Sequence, residues 1–125
     1  MKRNPGEPSE ADIERTCTQL LELDGWRALR TDPVSRCEWG KGFGEPGMPD
    51  HLYLRYLSGS RDQVLWVEFK KRGGKVEPRQ KAWHEAERAR GAVVWVAGED
   101  FPASIEGFAQ AYASSGLMRR KLVVK

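Results

Sequence analysis

Apolar and polar positions alternate along this chain with two different periods. Ile13, Cys17, Leu20, Leu21 and Leu23 form an approximate stripe at helical spacing. Ser9 can cap that helix, Asp12 three residues on completes a short capping box, and Gly25 ends it, so a helix is expected over 9–24. Residues 26–29 can form a short strand. HLYLRYL (51–57) alternates, QVLWVEFK (63–70) is a second strand candidate, and the polar link 58–62 makes the pair a hairpin. Pro78 suits the first position of a second helix, which reaches about Arg90 and is stopped by Gly91. AVVWVA (92–97) is a continuous apolar run, as in a strand covered on both faces. A third helix is expected over 102–113, and the terminal LMRRKLVVK reads as an edge strand.

The expected order is therefore α-β-β-β-α-β-α: one mixed-sheet α/β domain over 9–125, preceded by a loose tail over 1–8 that holds Pro5, Gly6 and Pro8. The crossover from the hairpin's second strand through the second helix to AVVWVA should be right-handed and parallel. Between Thr31 and Met48 the chain is rich in Gly, Pro and charge and reads as a long loop, a feature that in compact domains is often functional. Trp39 and Phe43 lie within it, as packing anchors under the loop or as platforms for bases.

Composition removes several classes. A chain of 125 residues can bury a core without staples. No apolar run approaches the roughly 18 residues that span a bilayer, and the basic N-terminus has no apolar stretch behind it to make a signal peptide. Two cysteines, Cys17 and Cys37, are read as reduced thiols of a cytoplasmic protein, encoded by a bacterium or a phage. With His51 and His84 far apart in the chain, no zinc ligand set can be written. Net charge is only +3, but Lys70 to Arg90 holds eight basic residues against three acidic ones. Such a patch fits a phosphate-bearing partner or a solvated helix face.

The chemistry concentrates at the ends of the hairpin. A turn centred near Gly59 or Ser60 places Asp50 opposite roughly Lys70 and Leu52 opposite roughly Glu68, with Asp50 and Glu68 one diagonal apart. Alternation puts Glu68 and Lys70 on one face. Two carboxylates so close would repel, and a hard cation such as Mg²⁺ between them removes the conflict. A lysine beside such a pair can hold an attacking water and neutralise charge growing on a phosphate. Each piece is weak alone: Glu68-Phe69-Lys70 is a common strand sequence and Pro49-Asp50 is a turn signal.

In combination, GMPDHLYLRY followed by LWVEFKKRGGKVEPRQKAWHEAERARGAVVWVAGED resembles the VRR-NUC branch of the PD-(D/E)XK nuclease superfamily. Its Gly-x-Pro-Asp, hairpin, Glu-x-Lys, loop, Pro-x-Gln helix, Gly and apolar strand are all present in order, over about 9–100. The Val-Arg-Arg tripeptide of the family name is absent, and Glu77 stands where a small capping residue before Pro78 is usual. The resemblance implies a restriction-endonuclease-like core. It implies Asp50 and Glu68 as metal-binding carboxylates, Lys70 as the catalytic lysine and Gln80 as an aligning residue. It adds the Phe69 carbonyl as a further metal ligand, and a first-helix glutamate, Glu10 or else Glu14. Arg36, Lys41, Lys71, Arg72, Lys75 and Arg79 are then candidates for DNA contact.

What the resemblance implies functionally is a Mg²⁺-dependent DNA endonuclease, with Mn²⁺ as a substitute, acting as a homodimer on branched DNA such as a Holliday junction. The competing expectation is a non-catalytic nucleic-acid-binding module of the same fold. The clustered carboxylates argue against it, since without a metal they repel phosphate. A sequence-specific restriction-like enzyme is disfavoured because little chain remains for base readout.

Overall fold

The computed structural model describes residues 6–31, 45–57 and 61–119. Its elements run α1 (Glu10–Leu23), β1 (Arg27–Arg30), β2 (His51–Arg55), β3 (Gln63–Glu68), α2 (Pro78–Ala89), β4 (Val94–Val96) and α3 (Ile105–Ser114). The expected order holds throughout. The sheet has the order β1-β2-β3-β4; β1, β2 and β3 pair antiparallel, and β3 pairs parallel with β4 through the α2 crossover. Leu117–Arg119 do not form the expected edge strand, and the rest of that segment lies outside the described residues, as do Trp39, Phe43 and Cys37.

Helix α1 begins as its sequence demands. Ser9 Oγ accepts from the Asp12 N–H at 3.1 Å, and Asp12 Oδ2 accepts from the Ser9 N–H at 3.1 Å. That backbone hydrogen bond holds the Asp12 carboxyl below its usual range. Its buried stripe is Ile13, Cys17 and Leu21, one residue per turn. The stripe packs with Phe108 and Tyr112 of α3 against one sheet face, formed by Tyr53, Leu65 and Val67 and continued by Phe69. Each of these large side chains contributes about 1.5–3 kcal/mol by leaving water. Helix α2 covers the opposite face through Trp83, which meets Trp66 edge-on at 4.9 Å and joins Val94 and Val96.

Strand β2 links two polar ends. At its far end Arg55 is 2 % exposed, with its guanidinium 4.4 Å from the Trp26 ring centroid. Its Nη1 donates to Asp24 Oδ2 at 3.0 Å and its Nη2 to the Leu117 carbonyl at 2.6 Å. Tyr112 also donates its hydroxyl proton to Asp24 and accepts from Trp26 Nε1 at 2.8 Å. Burial pushes that phenol up to about 12. This network ties the C-cap of α1, strand β2 and the segment after α3 together, and leaves the other end of the sheet to the candidate site.

Candidate active site

The β2–β3 register pairs His51 with Val67 and Leu52 with Trp66. Asp50 precedes the first paired residue of β2, and Glu68 follows Val67, so the ladder's next step sets Asp50 directly opposite Glu68. This corrects the expected register by two residues: Leu52 faces Trp66 rather than Glu68, and the same register carried one step further aligns Asp50 with Glu68 rather than Lys70. The pairing is centred on position 59, the earlier of the two turn centres the sequence allowed. A register so continued makes the two residues direct rather than diagonal partners, and direct partners have Cβ atoms roughly 4.5–5.5 Å apart.

Contacts on both sides fix the segment that ends in Asp50. The Thr31 N–H donates to the Asp50 carbonyl at 2.9 Å, extending the β1–β2 ladder by one step. Thr31 Oγ1 donates to the Pro49 carbonyl at 2.6 Å. On the other side, residues 45–49 lean on α2: Trp83 Nε1 donates to Glu45 Oε1 at 3.4 Å, and Met48 packs with Trp83 and Trp66. Gly47 has φ +88°, and a Cβ there would stand 2.4 Å from the Arg79 carbonyl oxygen. The Gly-x-Pro-Asp turn is thus seated on the first turn of α2.

Glu68 is the last residue of β3 and is 7 % exposed. Its backbone carbonyl accepts from the Ala97 N–H at 2.9 Å, which continues the parallel ladder beyond β4. Lys70 Nζ lies 4.0 Å from Glu68 Oε2, the two side chains 17 % and 8 % exposed. Phe69 between them turns its ring into the core, 5.2 Å edge-on from His51. A nearly buried carboxylate persists only with compensating partners, and Glu68 Oε1 has no hydrogen-bond partner among the described residues.

The first helix brings acid to the same end. A groove of about 420 Å³ runs between α1 and β1, lined by Glu14, Thr18, Leu29, Arg30 and His51 among others. Glu14 lines it; Glu10, exposed at the helix start, does not. Gln80 lies in the first turn of α2, where its Oε1 accepts from the Glu77 N–H at 2.9 Å. It thereby supplies half of a capping box and offsets the unusual Glu77 before Pro78. Lys71, Arg72, Lys75 and Arg79 are all exposed, and Arg72 Nε stands 3.6 Å from Glu7 Oε1. Arg36 and Lys41 lie outside the described residues.

One neighbour escaped sequence reasoning. His84 is 2 % exposed, and its Nε2 faces Glu68 Oε1 at 3.5 Å. The available signal was its spacing: His84 follows Gln80 by one helical turn, which puts both on one flank of α2.

The residues present suit a hard, water-rich cation better than a closed cage. Among the described residues no group of three or more His, Cys, Asp and Glu side chains is placed to hold a metal ion. Mg²⁺ is commonly bound by one or two carboxylates with its remaining positions left to water and phosphate oxygens. Two carboxylates aligned across the hairpin, with the Lys70 ammonium beside one of them, fit that pattern.

No protein-family model matches the chain, and no curated protein does. Among solved structures the chain is similar to one described as a VRR_NUC domain, at 22 % identity with a TM-score of 0.61. The match covers 86 % of this chain and 98 % of the other. The chain thus shares the fold of that domain, an α/β core of the restriction-endonuclease kind, as the order of its motifs implied. No helix among the described residues is long and apolar enough to cross a membrane.

Proposed function

We propose that this chain is a Mg²⁺-dependent DNA endonuclease of the VRR-NUC type, in which Mn²⁺ substitutes for Mg²⁺. The observation that carries the reading is the placement of Asp50 opposite Glu68 with the Lys70 ammonium beside the second carboxylate. The shared fold supports it.

Asp50, Glu68 and the Phe69 carbonyl would hold the cation; of the two first-helix acids the sequence offered, Glu14 lines the neighbouring groove and Glu10 does not. When bound, Mg²⁺ supplies a Lewis acid for the phosphoryl oxygen and lowers the pKa of its water. The rest belongs to the chain. Lys70 orients the attacking water and offsets the negative charge that builds on the phosphate. Gln80 caps α2 and so keeps its first turn, with Arg79 and the seated Gly47, in place behind Asp50. Lys71, Arg72, Lys75 and Arg79, together with Arg36 and Lys41, contact backbone phosphates, which neutralises the substrate around the carboxylates.

A domain of this size presents one such site, so paired incisions on opposite strands need a second copy. We therefore propose a homodimer acting on branched DNA. The test is a cleavage panel of duplex, single-strand, flap and four-way DNA with Mg²⁺, with Mn²⁺ and with chelator, alongside light scattering with and without the junction. Metal-dependent cutting of the junction ahead of the duplex by a dimer is expected. A monomer that cuts linear duplex equally fast removes the branched-DNA part. Metal-independent DNA binding without any cleavage favours the non-catalytic module.

A further inference from the structure

Glu68 is approached from α2 as well as from across the hairpin. His84 Nε2 and Glu68 Oε1 face each other at 3.5 Å, both buried, and neither has a hydrogen-bond partner among the described residues. Buried polar atoms are nearly always satisfied. Two that lack partners and confront each other just beyond hydrogen-bond length make a pair that a small adjustment closes. On its own helix the ring stands edge-on to Trp83 at 6.3 Å, and Trp83 in turn meets Trp66 at 4.9 Å. With its proton on Nε2, the ring donates to Oε1. The other carboxylate oxygen, Oε2, is the one on the Lys70 side, at 4.0 Å from Nζ.

We infer that His84 is a positioning residue, which holds Glu68 Oε1 from behind and so presents Oε2 toward the cation and Lys70. The inference rests on the metal-site reading of Glu68 and adds a side chain that none of the motifs contains. Groups that orient a ligating carboxylate commonly set metal affinity by about 10–100-fold. An imidazole that only filled the core would set stability and leave that affinity alone.

The experiment measures Mn²⁺ binding to the full chain, without DNA, by electron paramagnetic resonance, in wild type, Glu68→Gln, His84→Gln and His84→Asn. Thermal melts without metal run in parallel. A glutamine amide nitrogen reaches the position of Nε2, whereas an asparagine amide reaches only that of Nδ1. Wild type and His84→Gln should bind alike, and a folded His84→Asn should bind about 10–100-fold more weakly. His84→Asn binding as tightly as wild type would overturn the inference. So would a folded His84→Gln that has lost affinity, whatever the Asn variant does. Nitrogen coupling on the wild-type Mn²⁺ signal would also overturn it, since His84 would then be a ligand itself. Wild type that binds no Mn²⁺, like Glu68→Gln, sinks the metal-site reading and this inference together, an outcome distinct from the other three.

Discussion

Gly47 and Arg79 meet backbone to backbone, so closely that a methyl group on Gly47 would lie 2.4 Å from the Arg79 carbonyl oxygen and 2.8 Å from its carbon. Neither atom can swing aside as a side-chain tip would. Gly47→Ala should therefore push the turn off α2 and displace Asp50, three residues on. Gly73 is the control: its φ of +83° resembles Gly47's +88°, but nothing stands within 4 Å of an added Cβ. Gly73→Ala should cost about 1 kcal/mol from its left-handed backbone alone. Gly47→Ala should cost more in chemical denaturation and lose most cleavage. Equal losses in the two variants would show that the contact does not position the site.

Asp50→Ala and Glu68→Ala should each abolish cleavage while far-UV circular dichroism stays that of the wild type. Neither carboxylate belongs to the apolar core that runs from Ile13 to Tyr112. DNA binding without metal should persist or tighten in filter binding, because each change removes a charge that repels phosphate. Full activity in both variants would falsify the carboxylate assignment.

Lys70→Ala should lower turnover by about 10²–10⁴-fold, the range for a positioned acid–base or charge-stabilising group, and change DNA affinity little. Its Nζ is held beside Glu68 at 4.0 Å, whereas Lys71, Arg72 and Lys75 are exposed. Those three should weaken binding and flatten its salt dependence. Single-turnover rates against binding isotherms separate the two groups. A Lys70→Ala that only weakens binding belongs with its neighbours.

Cys17 predicts an alkaline effect. It is 1 % exposed under α1, and burial pushes its thiol from the ordinary 9.0 up to about 12. Between those values the unfolded thiol ionises while the folded one stays neutral. Stability from the neutral thiol is fully present below about pH 9 and declines as pH rises toward 12. In a Cys37→Ser background, urea midpoints should fall more steeply above pH 9 with Cys17 than with Cys17→Ala, and the native thiol should react slowly with a disulfide reagent. Parallel slopes would show the thiol to be open to solvent.

Legibility in the sequence followed the range of the forces involved. Helix α1 was readable because its signals are local: Ser9, Asp12 and the stripe lie within one helix. Helix α3 was expected from Pro102 but starts at Ile105, because Ser104 takes the cap by accepting from the Gly107 N–H at 2.9 Å. Gly107 also packs against Pro102, where an added Cβ would fall 2.5 Å from the proline's own. The hairpin was readable, but its register was not: a turn centred one residue later moves each partner by two positions, and Gly59 and Ser60 serve a turn equally well. For His84 only its place on the Gln80 flank of α2 was legible, because its meeting with Glu68 joins a helix to a strand 16 residues earlier in the chain. No local pattern encodes that distance.

The sheet's outer strands have a consequence for how copies of the chain avoid fusing. Among the described strands the outermost are β1 and β4, with four and three residues. Each is too short to template much of a foreign strand. Strand β1 also opens and closes with an exposed arginine, Arg27 and Arg30. A second β1 laid antiparallel alongside would bring like charges together at both ends. Short and charged margins of this kind are how β-sheets resist growing sideways into aggregates. Neighbouring copies of the chain can therefore crowd together with little tendency for these strands to merge.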